Sequence, residues 1–146
     1  MPSSQSPPAA DRQVGAGWTH QDGSRTTLTV TVCRTCSGRW FPPREVCSTC
    51  ASSDVENTES GTEGRVHAST VVRIAPRGFE APYVLAYVDI SGVRLLAHSP
   101  SSDRALAPDT PVRLTVAPIA PLGEGRLTSY AVVPLNEAGS TTGGAR

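Results

Sequence analysis

The chain has 146 residues and a formal charge of zero, its 13 basic residues, all Arg, balanced by 13 acidic ones. No run of like charges occurs, which disfavours a broad electrostatic footprint for duplex nucleic acid or an anionic membrane. Thirteen Pro and thirteen Gly point to short elements joined by turns, and no apolar run approaches the roughly 20 residues of a membrane span.

This length suits a metal-stapled module of about 30 residues beside a domain of about 80. The first residues, Met-Pro-Ser-Ser-Gln-Ser-Pro-Pro, lack the basic and apolar regions of a signal peptide, so the expected location is the cytoplasm. In that reducing compartment clustered cysteines are better explained by a metal than by disulfides.

Residues 1–17, rich in Pro, Ser, Ala and Gly, read as a disordered arm. Over 26–32, Leu28, Val30 and Val32 alternate with Thr27, Thr29 and Thr31, the period-2 pattern of a half-buried strand. This strand runs into Cys33-x-x-Cys36, and after ten residues Cys47-x-x-Cys50 follows; these are all four cysteines of the protein. Each knuckle offers two thiolates from one tight turn, and the residues between suffice for a short hairpin that brings the pairs around a tetrahedral ion. Four thiolates leave no open coordination position, so the ion, Zn2+ with iron as the competitor, is expected to be structural. Between the knuckles Arg39-Trp40-Phe41 reads as a short strand, with Trp40 and Phe41 as cover for the metal. The polar stretch 51–64 reads as the domain junction, with Val55 marking a last ribbon strand.

A succession of β patterns follows. Residues 65–74 alternate as a long strand; 83–90 are nearly continuously apolar, as in a strand buried on both faces. Ser91-Gly92 turns into a strand over 93–98, and further strands are expected over 112–116 and 127–133. Residues 136–146 read as a disordered tail. The expected fold is mainly β: a lead-in strand and zinc ribbon over 18–60, then a five-stranded OB-fold barrel over 61–135. No internal repeat and no amphipathic-helix periodicity are found.

No nucleophile elbow, zinc-protease motif, phosphate loop or dinucleotide fingerprint occurs. His67 and His98 fall at polar-facing strand positions, His20 lies in the lead-in, and every Cys is committed to metal. Asp89 reads as a hairpin-end or hydrogen-bonded residue. The chain therefore reads as a binding or accessory module. An OB barrel offers its second and third strands and the loop between strands one and two to ligands, here Tyr83, Tyr87, Arg94 and the loop with Arg77 and Phe79.

Several segments resemble the DUF35 family. They are Cys33-x-x-Cys36-x-Gly38, Phe41-Pro-Pro-Arg44, Cys47-x-x-Cys50, Gly61-x-x-Gly64-Arg-Val-x-x-Ser-Thr70, Ala81-Pro-Tyr-Val-Leu-Ala-Tyr-Val88 and Ala107-Pro-Asp-Thr-Pro-Val112. They span about residues 33–134. The resemblance implies a rubredoxin-like zinc ribbon before an OB-fold, and a non-catalytic partner of thiolase-fold enzymes (thiolases, ketosynthase-like acyltransferases, retro-aldolases) or hot-dog hydratases. Such a partner stabilises the enzyme and helps to hold acyl-CoA. It implies Cys33, Cys36, Cys47 and Cys50 as metal ligands, and places CoA contacts at Arg39, Arg44, Arg73 and Arg77, to which the barrel face adds Phe79 and Tyr83. Two departures stand out: a Thr-rich strand where the family has a helical segment, and Tyr130-Ala-Val-Val-Pro134 where it often has a Phe. A single-stranded nucleic-acid binder is the competing class; the neutral charge and few aromatics weigh against it.

Overall fold

The computed structural model describes residues 11–135, which form ten strands and no α-helix. In chain order these are β1 (Arg12–Gln13), β2 (Thr19–Asp22), β3 (Arg25–Cys33), β4 (Arg39–Trp40), β5 (Val55–Glu59), β6 (Glu63–Val72), β7 (Tyr83–Ile90), β8 (Val93–His98), β9 (Pro111–Leu122) and β10 (Gly125–Pro134).

Strands β6 to β10 close into a barrel. Antiparallel pairing joins β6 to β7 and β7 to β8, β8 meets β10 in parallel at His98 and Ala131, and β9 pairs with both β10 and β6. This ring is the OB-fold order. Its interior is filled by the alternate residues of each strand, among them Val66, Val88, Leu95, Leu114 and Val132, all at most 3% exposed. Ser91 and Gly92, at φ of 50° and 81°, supply the two left-handed residues of a two-residue hairpin between Ile90 and Val93. The glycine before Arg65-Val66 answers to close approach: a Cβ on Gly64 would stand 2.3 Å from Ile90 Cγ1 and 2.4 Å from the Asp89 carbonyl oxygen.

The ribbon is built on β3, which pairs with β2 along its first half and with β4 and β5 along its second. Leu28 on β3 is fully buried in the barrel core, and its amide and carbonyl bond to Ser60 Oγ and Ser60 N at 2.9 and 2.8 Å. On the opposite face Thr27 and Thr31 are buried as well, Thr27 bonding Glu59 and Thr31 bonding Asn57 at 2.7 Å.

Several expectations are corrected. The arm expected over 1–17 is partly structured: Arg12 and Gln13 pair in parallel with Leu127 and Thr128, and Asp11 grips Arg126 at 2.9 Å. Backbone pairing along the edge of β10 needs no apolar side chains, so composition did not reveal it. Residues 1–10 of that arm, and the tail 136–146, lie outside the described residues. The lead-in contains a strand, β2, that places His20 Nε2 2.7 Å from Thr29 Oγ1. The polar stretch 51–64 does contain the last ribbon strand expected at Val55: it is β5, all of it paired to β3. The strand expected over 65–74 ends at Val72, leaving Ile74 93% exposed. The strand over 83–90 is buried on one face only, with Val84, Ala86, Val88 and Ile90 inward and Tyr87 49% exposed. Phe41 does not cover the cysteines. It stands edge-on between Trp18 and Tyr130, with ring centroids 5.9 and 5.4 Å away, and packs against the barrel core.

Candidate metal centre and ligand face

The two knuckles are the same turn built twice. In the first, the Ser37 amide donates to the Cys33 carbonyl at 2.9 Å and the Cys33 amide to the Gly38 carbonyl at 2.8 Å. In the second, the Ala51 amide donates to the Cys47 carbonyl and the Cys47 amide to the Ser52 carbonyl, both at 2.9 Å. Ser37 and Ala51 hold equivalent left-handed positions, at φ of 65° and 61°. Neither is Gly, so the sequence carried no sign of this backbone repeat.

The four sulfurs lie within 4.8 Å of one another, Cys33 being 3.6 Å from Cys50 and Cys36 3.5 Å from Cys47. These separations exceed the disulfide bond length of about 2.0 Å. They bracket the roughly 3.8 Å between ligands at the corners of a tetrahedron with metal–sulfur bonds of about 2.3 Å. Cys33 and Cys47 are buried, whereas Cys36 and Cys50 reach the surface. Among the described residues this is the one group of three or more side chains able to hold a metal ion.

The local electrostatics separate the sulfurs into two kinds. The amides of Cys36 and Thr35 bias Cys33 toward the thiolate against the effect of burial. The amide of Cys50 leads those that bring Cys47 down to about 6, helped by the amide of Thr49. Cys36 feels the Gly38 amide in the same sense, yet its hydrogen bond to Cys47, burial and the other sulfurs push it up to about 12. Cys50, despite the amide of Ser52, is raised by burial and by Cys33. Two sulfurs thus favour the thiolate and two the thiol, and a divalent cation is what allows all four to ionise together.

The donor set fits such an ion in a second respect. Trp40 Nε1 is buried with no hydrogen-bond partner, and an indole N–H can only donate. Side chains around the cluster brace the ribbon: Arg34 spans Asp54 and Glu56 at 2.9 Å each, and Thr35 meets Ser52 at 2.8 Å.

The ligand residues expected from the sequence fall in two places. Arg39 donates to the Ser91 carbonyl at 3.1 Å and fills the space over Gly92, tying the ribbon to the β7–β8 turn. Arg44 lies over the Trp40 ring, 4.7 Å from its centroid, and bonds Ser48. Phe79 and Tyr83 stand at the other end of the β7–β8 hairpin, about 20 Å away by strand rise. There His98 stacks on both, with centroids 6.1 and 5.1 Å distant. Arg73 and Arg77 are exposed in the loop between β6 and β7 that also carries Phe79. The structure therefore brings Phe79 and Tyr83 together and leaves Arg39 and Arg44 apart from them. His98, expected at a plain polar position, is half-buried, and burial lowers its pKa.

Between these ends the outer face of β6–β8 is apolar. Tyr87 stands opposite Ala68 and Leu96, and Leu85 opposite Thr70 and His98. Tyr87 and Leu96 are 49% and 44% exposed, and with Leu85 and Ala68 they line a shallow groove of about 320 Å³. Asp89, two residues beyond Tyr87 on the same strand toward the hairpin turn, is held by Arg94 at 2.7 Å with His67 3.9 Å away. Asp89 is thus a hydrogen-bonded hairpin residue, and Arg94 lowers its pKa. The alternation of 83–90 carried this face in the sequence, but the apolar run disguised which residues were outward.

Two family models match consecutive parts of the chain. Residues 22–56 match the rubredoxin-like zinc ribbon domain of ChsH2, and residues 57–117 match its C-terminal OB-fold domain. A DUF35 domain-containing scaffold protein of Methanocaldococcus jannaschii is 34% identical over 89 residues, which are 58% of this chain and 62% of that protein.

The chain belongs to the DUF35 family.

A second relative is subunit BbsA of the benzoylsuccinyl-CoA thiolase of Geobacter metallireducens, 29% identical over 100 residues, 68% of either chain. Among solved structures, the DUF35 chain of an Ltp2-ChsH2 aldolase superposes with a TM-score of 0.54 at 29% identity, covering 73% of this chain and 84% of that one. The present DUF35 chain thus spans about three-fifths of the archaeal relative's length and two-thirds of the thiolase subunit's. These relatives are named as scaffold or subunit proteins. No helix among the described residues is long and apolar enough to cross a membrane.

Proposed function

We propose that this DUF35 protein is a non-catalytic accessory subunit of a thiolase-fold acyl-CoA enzyme working in the cytoplasm. The partner is a thiolase or ketosynthase-like acyltransferase or, in the direction of the aldolase relative, a retro-aldolase. In this reading Cys33, Cys36, Cys47 and Cys50 hold a structural Zn2+. When bound, the ion crosslinks the two knuckle turns and has no free position for substrate. A backbone amide beside each sulfur favours its thiolate form, while Arg39, Phe41 and Leu28 fasten the ribbon to the barrel.

The observation that carries the reading is the outer face of β6–β8. An apolar groove centred on Tyr87 and Leu96, with a fixed Asp89–Arg94 pair farther along the same hairpin toward its turn, has the apolar-centre, polar-rim make-up of a protein interface. The names of the thiolase and aldolase relatives favour a thiolase-fold subunit as the occupant. Acyl-CoA, where it touches this chain, is met by Arg73, Arg77, Phe79 and Tyr83. There two exposed cations share the β6–β7 loop with Phe79, part of a stacked aromatic wall, whereas Arg39 and Arg44 are engaged within the protein.

Co-expression with the thiolase-fold protein encoded beside it tests the proposal. The two should co-purify, and this chain alone should show no turnover. Tyr87→Arg should abolish co-purification while leaving the zinc content unchanged. Recovery of the wild-type chain as a stable monomer with no affinity for any neighbouring thiolase-fold product overturns the reading.

A further inference from the structure

We infer that Trp40 is a positioning residue of the metal centre, its indole N–H donating a hydrogen bond to the Cys47 sulfur once the four cysteines hold zinc. The inference rests on the structural-zinc reading above and assigns this aromatic residue a role that cysteine spacing alone does not contain.

Three observations converge. Trp40 Nε1 is buried without a partner, and a desolvated donor left unpaired is costly enough that native structures rarely keep one. The surroundings of Gly38 show what the donor faces. A Cβ there would have Cys36 Sγ at 3.3 Å, Trp40 Nε1 at 3.4 Å and Cys47 Sγ at 3.7 Å as its three nearest atoms. Gly38 does not occupy the left-handed region, so backbone conformation does not call for glycine here. What it provides is room: a Cβ here would touch the indole nitrogen and the Cys47 sulfur and crowd the Cys36 sulfur.

The third observation is that strand pairing fixes the backbone of Trp40 and a cation covers one face of its ring. Trp40 lies opposite Thr31 on β4, two residues before Cys33 on the neighbouring strand. Thr31 Oγ1 accepts from the Arg44 amide at 2.9 Å, which brings the Arg44 guanidinium over the indole, 4.7 Å from its centroid. A cation on the ring face draws electron density from the indole and strengthens its N–H as a donor. Arg44 thereby acts on the metal centre through Trp40. A zinc ion with four thiolates carries a net charge of −2, and donors to the sulfurs disperse that charge. Groups that support metal ligands in this way are commonly worth about 10- to 100-fold in metal affinity.

Trp18 provides an internal control. Its Nε1 is also buried and unpartnered, but it lies beside the Gly15 turn and its ring packs on Phe41, not on the cysteines. In the full-length chain loaded with 113Cd and labelled with 15N-tryptophan, the Trp40 indole proton should show a scalar coupling to cadmium that Trp18 lacks and that vanishes with 112Cd. Trp40→Phe, which keeps a ring under Arg44 but removes the donor, should weaken zinc binding about 10- to 100-fold in competition with a chelator, and Trp18→Phe should leave it unchanged. Metal retained with no coupling at Trp40, or a Trp40→Phe affinity within about twofold of wild type, overturns the inference and leaves the zinc reading standing. A chain that takes up neither zinc nor cadmium overturns both.

Discussion

The ribbon and the barrel are both made of antiparallel strands, yet they are held by different chemistry. In the barrel, strand alternation points a continuous set of Val, Leu, Ile and Ala inward, and the ring of pairings closes around them. In the ribbon the buried residues are two cysteines, four threonines (Thr19, Thr26, Thr27 and Thr31) and Ser60 alongside Leu28 and Val30, with Arg34, Asp54 and Glu56 paired at its rim. A region of some 40 residues cannot bury enough apolar surface to stand alone, so the ribbon leans on the barrel and, in the proposed reading, on an ion held by its four cysteines. Strand β3 serves both regions, one end inserting Leu28 into the barrel core and the other delivering Cys33 to the knuckle.

The most damaging way to break this contrast is Cys47→Ser. It should eliminate bound zinc and strip hydrogen-exchange protection from the amides of residues 33–57, while β7 and β8 keep theirs. Equal loss of protection in β7 and β8 would show that the barrel, too, leans on the ion.

Leu28→Ala attacks the shared strand instead. A fully buried leucine truncated to alanine costs about 2–5 kcal/mol, so the denaturation midpoint should fall with ribbon and barrel still unfolding in one transition. Two separate transitions would mean that β3 does not couple them.

The smallest effect concerns the barrel alone. Burial between Phe79 and Tyr83 holds the His98 pKa below its usual value of 6.5. The unfolded chain therefore takes up this proton before the native one does. The stabilisation is present above pH 6.5 and is lost as pH falls through that value toward the native pKa. His98→Gln should remove this part of the decline between about pH 7 and pH 5 in thermal melts. An unchanged decline would mean that the stack admits a charged imidazole.

Much of this architecture was legible from local pattern. Two CxxC units ten residues apart marked the metal centre, because a knuckle is a local turn and needs only its own residues. Period-2 alternation and the Ser91-Gly92 turn marked β6 to β8, and motif resemblance supplied the family. The seam between ribbon and barrel was not legible. Phe41 beside two cysteines looked like cover for the ion, and Arg39 like a ligand contact, because their neighbours in sequence belong to the ribbon. Their contacts in space are Trp18, Tyr130 and the Ser91 carbonyl.

By itself, then, the sequence determined the four cysteines of the candidate metal centre, the strands with strong alternation and the order in which they follow one another. Only the tertiary structure decided that the ribbon is fused to the barrel through β3, that Arg12–Gln13 adds a strand beside β10, and that the Trp40 indole nitrogen lies buried near Gly38 and the cysteines. The physical reason is range. Turns and strand periodicity arise from neighbours along the chain, whereas pairs such as Asp11 with Arg126 or Arg39 with Ser91 join residues 115 and 52 positions apart. Which distant residues meet is settled by chain closure and packing, and no local pattern records it.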